Sequence, residues 1–161
     1  MSVATAASPK ATGRSSESRD YVTATIAGQL FGIPVLSVQD VLGAQRLTRI
    51  PLAPQEVAGA LNLRGRIVTA IDLKKRLGLA GGEDAQVGMS IVVEHGNELY
   101  SLLIDQVGEV LSLPAERYEA NPPTLDPRWR EVSGGIYRLD GQLLVILEVE
   151  RVLDFARAQA A

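Results

Sequence analysis

The 161-residue chain contains no cysteine, which excludes a disulfide framework, a thiolate nucleophile and every Cys-ligated zinc or iron–sulfur centre. His95 is the single histidine, so multi-histidine metal sites are excluded as well, and a Ser-His-Asp relay has one residue to draw on. Aromatic residues make up 4% of the chain, few for the base-stacking platforms of single-stranded nucleic-acid binders. Positive charge is not in excess either: 16 Lys and Arg are scattered among 19 Asp and Glu, for a formal charge of −3. Phosphate-backbone binding needs clustered, unopposed cations. The longest apolar run, Leu143-Leu144-Val145-Ile146-Leu147, is strand length and far short of the roughly 18 to 20 residues that span a bilayer. The N-terminus has no basic stretch leading into an apolar core, so no secretory signal is read there. No metal, cofactor or catalytic centre is expected.

What is present suits one globular unit of ordinary size, or two small lobes sharing one. Residues 1–19 are rich in Ala, Ser and Thr with little to bury, and are expected to be a disordered tail; residues 20–158 form the folded unit and residues 159–161 a short C-terminal tail. From Tyr21 onward, Val22, Ala24 and Ile26 alternate against Tyr21, Thr23 and Thr25, the period of a half-buried strand. Ala27-Gly28, His95-Gly96-Asn97 and Asp140-Gly141 read as hairpin turns between apolar runs, with Arg64-Gly65 as a fourth. Helices are few. Asp72 caps a turn or two through Leu73 and Leu77, stopped by Gly78. Residues 148–158 carry an apolar stripe of Val149, Val152, Leu153 and Ala156. Residues 37–42, 54–58 and 127–131 each suit a helical turn, the last after an Asp126 cap; residues 80–87 read as a loop.

The pattern is written twice. At an offset of 69 residues Leu30 falls on Leu99, Phe31 on Tyr100, Ile33 on Leu102, Val38 on Val107, Asp40 on Glu109 and Val41 on Val110. At an offset of 76, residues 65–73 fall on residues 141–149 and Leu77 on Leu153. The seven-residue difference lies in the connection carrying Pro122, Pro123 and Pro127, where insertion costs little. Two copies of four or five strands each predict an all-β protein of two similar small five-stranded SH3-like barrels side by side, with short helical turns, a C-terminal helix and a binding groove between the barrels.

Three ordered motifs carry a family resemblance. The run Gly59-Ala60-Leu61-Asn62-Leu63-Arg64-Gly65-Arg66-Ile67-Val68-Thr69-Ala70-Ile71-Asp72-Leu73 resembles the G-x-x-N-L-R-G-x-[IV]-[VI]-P-[VI]-[VI]-D-L signature of the CheW chemotaxis coupling proteins. Gly32-Ile33-Pro34-Val35-Leu36-Ser37-Val38-Gln39-Asp40-Val41 and Leu102-Leu103-Ile104-Asp105-Gln106-Val107-Gly108-Glu109-Val110-Leu111 are similar to two further segments of that family. The chain departs from the pattern at Thr69, commonly proline, and at Asp40, usually glutamate. The resemblance covers residues 21–155 and implies a non-catalytic, cytoplasmic scaffold. It joins the cytoplasmic tips of chemoreceptors to the regulatory domain of a histidine autokinase and is recruited to membrane receptor arrays without inserting in the membrane. It also implies receptor contacts at Val38, Asp40, Val41, Gly59 and Arg64, and leaves the kinase-facing residues open.

The residues themselves leave alternatives. Val38 and Val41 suit a partner's apolar surface or the core of a helical turn. Arg64 offers a planar fork to a carboxylate, or its stem covers apolar surface. Asp40 is a contact or a solvated charge, and Gly59 a close approach or a turn requirement. His95 sits beside a hairpin glycine with no nucleophile nearby in sequence, and Trp129 and Tyr137 suit a core. An OB-like oligonucleotide or oligosaccharide module and a stand-alone inhibitory regulator of the same family are the competing functions.

Overall fold

Alternating apolar residues and turn dipeptides resolve into ten short strands. The structure, a computed structural model, describes residues 17–79 and 89–154; the loop expected at 80–87 and most of the expected N-terminal tail lie outside them. The strands are β1 (Ser18–Ile26), β2 (Gln29–Pro34), β3 (Val38–Leu42), β4 (Val57–Leu63), β5 (Arg66–Asp72), β6 (Met89–His95), β7 (Glu98–Ile104), β8 (Gln106–Pro114), β9 (Ser133–Leu139) and β10 (Gln142–Leu147). Three short helices follow strands or loops: α1 (Leu73–Arg76), α2 (Pro127–Val132) and α3 (Val149–Val152). Asp72 caps α1, accepting from the backbone N–H groups of Lys74 and Lys75, and Asp126 caps α2 in the same way through Arg128, with Pro127 at the first position. The C-terminal stripe is realised as one turn, α3, with Val149, Val152 and Leu153 buried; Ala156 lies outside the described residues.

Three expectations are corrected. Residues 38–42 and 54–58 are not helical: a 3-10 turn at Val35–Ser37 runs into β3, and β4 begins at Val57. β-branched valines at positions 38, 41 and 57 favour extended backbone once a neighbouring strand is there to pair with. β1 begins at Ser18, two residues inside the expected tail, because Ser18, Arg19 and Asp20 pair with Pro114, Leu113 and Ser112.

The sheets have the orders β8-β1-β2-β10-β9 and β3-β6-β7-β5-β4. Adding five to each strand number of the first copy, and subtracting five in the second, turns one order into the other. The correspondence holds residue by residue. Val38 pairs Val93 and its counterpart Val107 pairs Ala24; Leu61 pairs Val68 and Tyr137 pairs Leu144; the parallel pair Thr69 and Tyr100 matches Val145 and Phe31. Even the bulges agree, lying between Val38 and Asp40 in one sheet and opposite Val107 and Val110 in the other.

The sheets are not, however, one per copy. After its second strand each copy crosses over, so β1 and β2 are completed by β8, β9 and β10, while β6 and β7 are completed by β3, β4 and β5. The parallel pairs β2–β10 and β5–β7 follow from this exchange, because parallel neighbours cannot be joined by a hairpin and here come from different copies.

Each sheet curls around its own filling. Tyr21, Leu30, Leu111, Tyr137 and Leu144 form a cluster that draws on all five strands of the first sheet. Leu42, Leu61, Val68, Val92 and Leu99 do the same in the second. The larger cluster lies between them: Val22, Ala24, Ile26, Phe31 and Ile33 of the first sheet pack with Ile71, Ile91, Val93, Tyr100, Leu102 and Ile104 of the second. The expected groove between the barrels is therefore filled with core, since the outward face of each central strand is as apolar as its inward face. Polar ties border this core. Asp105, at the second crossover, accepts from the Ala27 N–H at 2.8 Å and pairs with Lys74 Nζ at 2.9 Å, while Arg76 donates to the carbonyls of Val152 and Arg151, each at 2.9 Å.

Phe31 is fully buried in this shared core and meets the Trp129 ring edge-on at 5.5 Å. Phe31→Ala is expected to cost about 3–5 kcal/mol, read from the urea midpoint. A loss confined to one sheet's spectroscopic signals would contradict a core held in common.

Candidate functional site

β3 and β4 are the edges of the second sheet, and its curl brings them together at the residues that the motifs single out. Arg64 occupies the first central position of the β4–β5 turn with φ +51°, followed by Gly65 at +86°, the paired positive angles of a type I′ hairpin. Asn62 Oδ1 accepts from the Gly65 N–H at 3.0 Å and steadies that turn. From it the guanidinium reaches across the gap to β3, donating from Nη2 to Asp40 Oδ2 at 3.0 Å. The other carboxylate oxygen of Asp40 accepts from the Val41 N–H at 2.8 Å. These two bonds hold the Asp40 carboxyl below its ordinary pKa, the Val41 N–H contributing more than Arg64.

Arg64 is 75% exposed, so solvent screens the pair and it adds little to stability. Its effect is orientation: one nitrogen is tied to Asp40 and the rest of the planar fork faces water. Val41, 39% exposed, stands next to Asp40 on β3, and Ile67, 69% exposed, stands three residues beyond Arg64 on β5. A charged fork with exposed apolar side chains on the adjoining strands suits a partner that offers both a carboxylate or carbonyl and an apolar stripe. Ile67 was not singled out by sequence reasoning, because a strand apolar on both faces gives no sign of which residue is left outside.

Two of the named residues serve the fold. Val38 is partly buried and packs on the central core, as does its counterpart Val107. Gly59 is buried in β4 rather than in a turn, beneath the segment whose Thr48 exchanges both backbone hydrogen bonds with Ala60 at 2.8 Å. A Cβ on Gly59 would lie 2.7 Å from the Thr48 carbonyl oxygen. Its counterpart Gly135 is roofed identically: Glu119 exchanges hydrogen bonds with Ile136, and a Cβ on Gly135 would lie 2.6 Å from the Glu119 carbonyl oxygen. Glycine at both places answers one steric demand. His95 ends β6 at a hairpin, Tyr137 is buried, and Trp129 donates its Nε1–H to the Leu77 carbonyl at 3.1 Å. Among the described residues no group of three His, Asp or Glu is placed to hold a metal ion, and no helix is long and apolar enough to cross a membrane.

Gly59→Ala is expected to destabilise the protein by about 1–3 kcal/mol, and Gly135→Ala to do likewise although it lies in the other sheet; an unchanged denaturation midpoint for Gly59→Ala would return that residue to the contact surface. The Asp40 carboxyl, followed by NMR, should titrate below its ordinary 3.8. Because folding lowers this pKa, the stabilisation is complete above the unfolded value and is lost as pH falls through the folded one. Arg64→Ala should move the midpoint only part of the way back, since the Val41 N–H remains; full return would mean that Arg64 alone sets it.

Comparison with known proteins agrees with this architecture. The family model described as CheW-like domain matches residues 20–157. The chemotaxis protein CheW of Klebsiella aerogenes is 30% identical over 135 residues, covering 84% of this chain and 81% of that protein. A probable chemotaxis protein CheW of Rhizobium etli is 27% identical over 143 residues, covering 89% and 92%. The crystal structure of the scaffolding protein TtCheW from Thermoanaerobacter tengcongensis superposes with a TM-score of 0.77 at 28% identity, over 86% of this chain and 94% of that one. With two like β subdomains, the shared core and the motif-bearing edge of β3 and β4 in place, this chain belongs to the CheW-like domain family of chemotaxis scaffold proteins.

Proposed function

We propose that this protein is a non-catalytic coupling scaffold that holds a cytoplasmic histidine autokinase, through that kinase's regulatory domain, to the cytoplasmic tips of transmembrane chemoreceptors. The observation that carries the reading is the Arg64–Asp40 pair, 3.0 Å long at the edge of the second sheet, with Val41 and Ile67 exposed on the adjoining strands. A receptor tip would meet Asp40, Val41 and Arg64 directly, with Val38 and Gly59 fixing the strands that present them. The protein works in the cytoplasm and reaches receptor arrays through its partners. Its contribution to kinase control is linkage: the arrangement of bound partners favours one activity level, and the chemistry belongs to the kinase.

Co-sedimentation of the purified protein with receptor-containing membranes and kinase, with autophosphorylation as the readout, tests this. Stimulation is expected only when all three are present, and stimulation without the scaffold would reject the role. Arg64→Glu should weaken receptor recruitment by about 1–3 kcal/mol, the scale for reversing a charge-assisted contact, with the melting temperature retained; undiminished recruitment would remove Arg64 from the surface.

A further inference from the structure

The two barrels share one strand plan and are filled differently. By the correspondence that matches Val38 to Val107 and Leu61 to Tyr137, the first barrel places Tyr21, Gly32, Tyr137 and Ile146 where the second has Ser90, Ser101, Leu61 and Ala70. In the first barrel these residues fit one another. A Cβ on Gly32 would lie 2.9 Å from Ile146 Cδ1, so the end of the isoleucine covers the glycine, and the Tyr21 and Tyr137 rings meet edge-on at 5.5 Å. The second barrel keeps the backbone pairing and loses that filling. Ser101 pairs with Ala70 as Gly32 pairs with Ile146, and the methyl group of an alanine cannot reach over its neighbour as the isoleucine does. Ser90 brings a hydroxymethyl group where Tyr21 brings a ring.

Both serines turn into this space. Val92, two residues from Ser90 on β6, and Leu99 and Leu103, two residues to either side of Ser101 on β7, belong to the interior cluster of the second barrel, and alternate residues of a strand share a face. Val92 stands opposite Ser101 and Leu103 opposite Ser90. The two serines are therefore diagonal neighbours on one face, with a backbone spacing of roughly 7–8 Å that a single small molecule can bridge. Ser90 is 2% exposed and Ser101 0%, and among the described residues neither hydroxyl has a hydrogen-bonding partner. An unpaired buried hydroxyl is costly, and native interiors meet such groups with protein or with water. Apolar voids stay dry, whereas a hollow that offers two polar groups fills.

We infer that the interior of the second barrel binds an internal water held between the Ser90 and Ser101 hydroxyls, in the space that Tyr21 and Ile146 take in the first barrel. A hydroxyl both donates and accepts, so each serine satisfies the water and is satisfied by it. The walls beyond them, Val68, Ala70 and Val92, are apolar, so the site suits a small neutral molecule and not an ion, whose charge nothing there would meet. Ser90 pairs with Leu42 at the end of β3, as Tyr21 pairs with Leu111 on β8. The strand that carries Asp40 and Val41 is thus backed by solvent where the matching edge of the other barrel is backed by a tyrosine. The inference stands apart from the coupling reading, since it needs neither receptor nor kinase.

Oxygen-17 relaxation dispersion of the solvent, measured on the full chain, tests it, because it counts waters held inside a protein and exchange of hydroxyl protons cannot imitate it. The other interior hydroxyl without a partner among the described residues, that of Tyr137, lies in the first barrel, so differences among variants of the second barrel report this site. The wild type should show a dispersion whose amplitude falls by one water in Ser90→Ala and in Ser101→Ala, each of which keeps the space and removes one of the two partners. Ala70→Ile combined with Ser101→Gly, which rebuilds the filling of the first barrel, should expel the same water with unchanged circular dichroism and a melting temperature held or raised. No dispersion from the wild type, an amplitude that the serine substitutions leave unchanged, or one that survives in the refilled variant would each overturn the inference. Should the refilled variant fail to fold, the two single alanine variants decide the matter alone.

Discussion

The fold depends on burying both faces of short strands that no single copy of the repeat can cover. Each barrel fills its own interior with one small cluster, but the larger cluster joins the outward faces of β1 and β2 to those of β5, β6 and β7. The strand exchange makes this contact obligatory. Without β8, β9 and β10, strands β1 and β2 are a two-stranded ribbon, which is marginal in water; without β1 and β2 the other three lose their central neighbours. Neither copy of the repeat is therefore a folding unit in its own right. The ties at Asp105 and Arg76 sit at the borders of the same core, where they fix how the crossovers and short helices meet it.

A duplicated fold carries its own control: what both copies keep serves the architecture, and what differs is free to serve something else. Gly59 and Gly135 are kept because a backbone strap passes over each. Val38 and Val107 are kept because both pack on the shared core. The differences fall at the surface. Arg64, tied to Asp40 across the edge of the second barrel, has Asp140 at its counterpart, and Asp40 has Glu109; the first barrel thus places two carboxylates where the second has an ion pair. Asp105, locked between Lys74 and Ala27, has Leu36 at its counterpart, bare to solvent. Symmetric strands thus present two chemically distinct ends, which a scaffold with different neighbours requires.

Much of this was legible in the sequence because it is written in short-range signals. Hairpin glycines, the Asp72 and Asp126 caps, the alternation in β1 and the offset between copies all report local backbone geometry. The exchange of strands was not legible, since a hairpin looks the same whichever sheet receives it, and the two crossovers are a single 3-10 turn and one aspartate. β3 escaped for a related reason: its valines fit a helical turn or a strand, and only the β6 edge beside it decides. Of the candidate surface, the residue types were readable and their meeting was not. Asp40 and Arg64 are 24 residues apart, one on the edge strand β3 and the other in the turn that ends the opposite edge strand β4, and the curl of the sheet brings them to 3.0 Å.

A core shared between barrels also constrains how such a scaffold can act. Packed interiors do not deform continuously, so two surfaces mounted on one core keep a fixed separation and direction. A partner bound at the β3 edge then influences a partner bound elsewhere chiefly by holding it at a high effective concentration in a set orientation, rather than by reshaping the scaffold. On the proposed coupling reading, the sensitivity of the output would reside in how partners are arranged around this body. That agrees with the distribution of its chemistry, in which titratable and apolar groups are displayed at turns and strand edges while the interior is almost wholly aliphatic and aromatic.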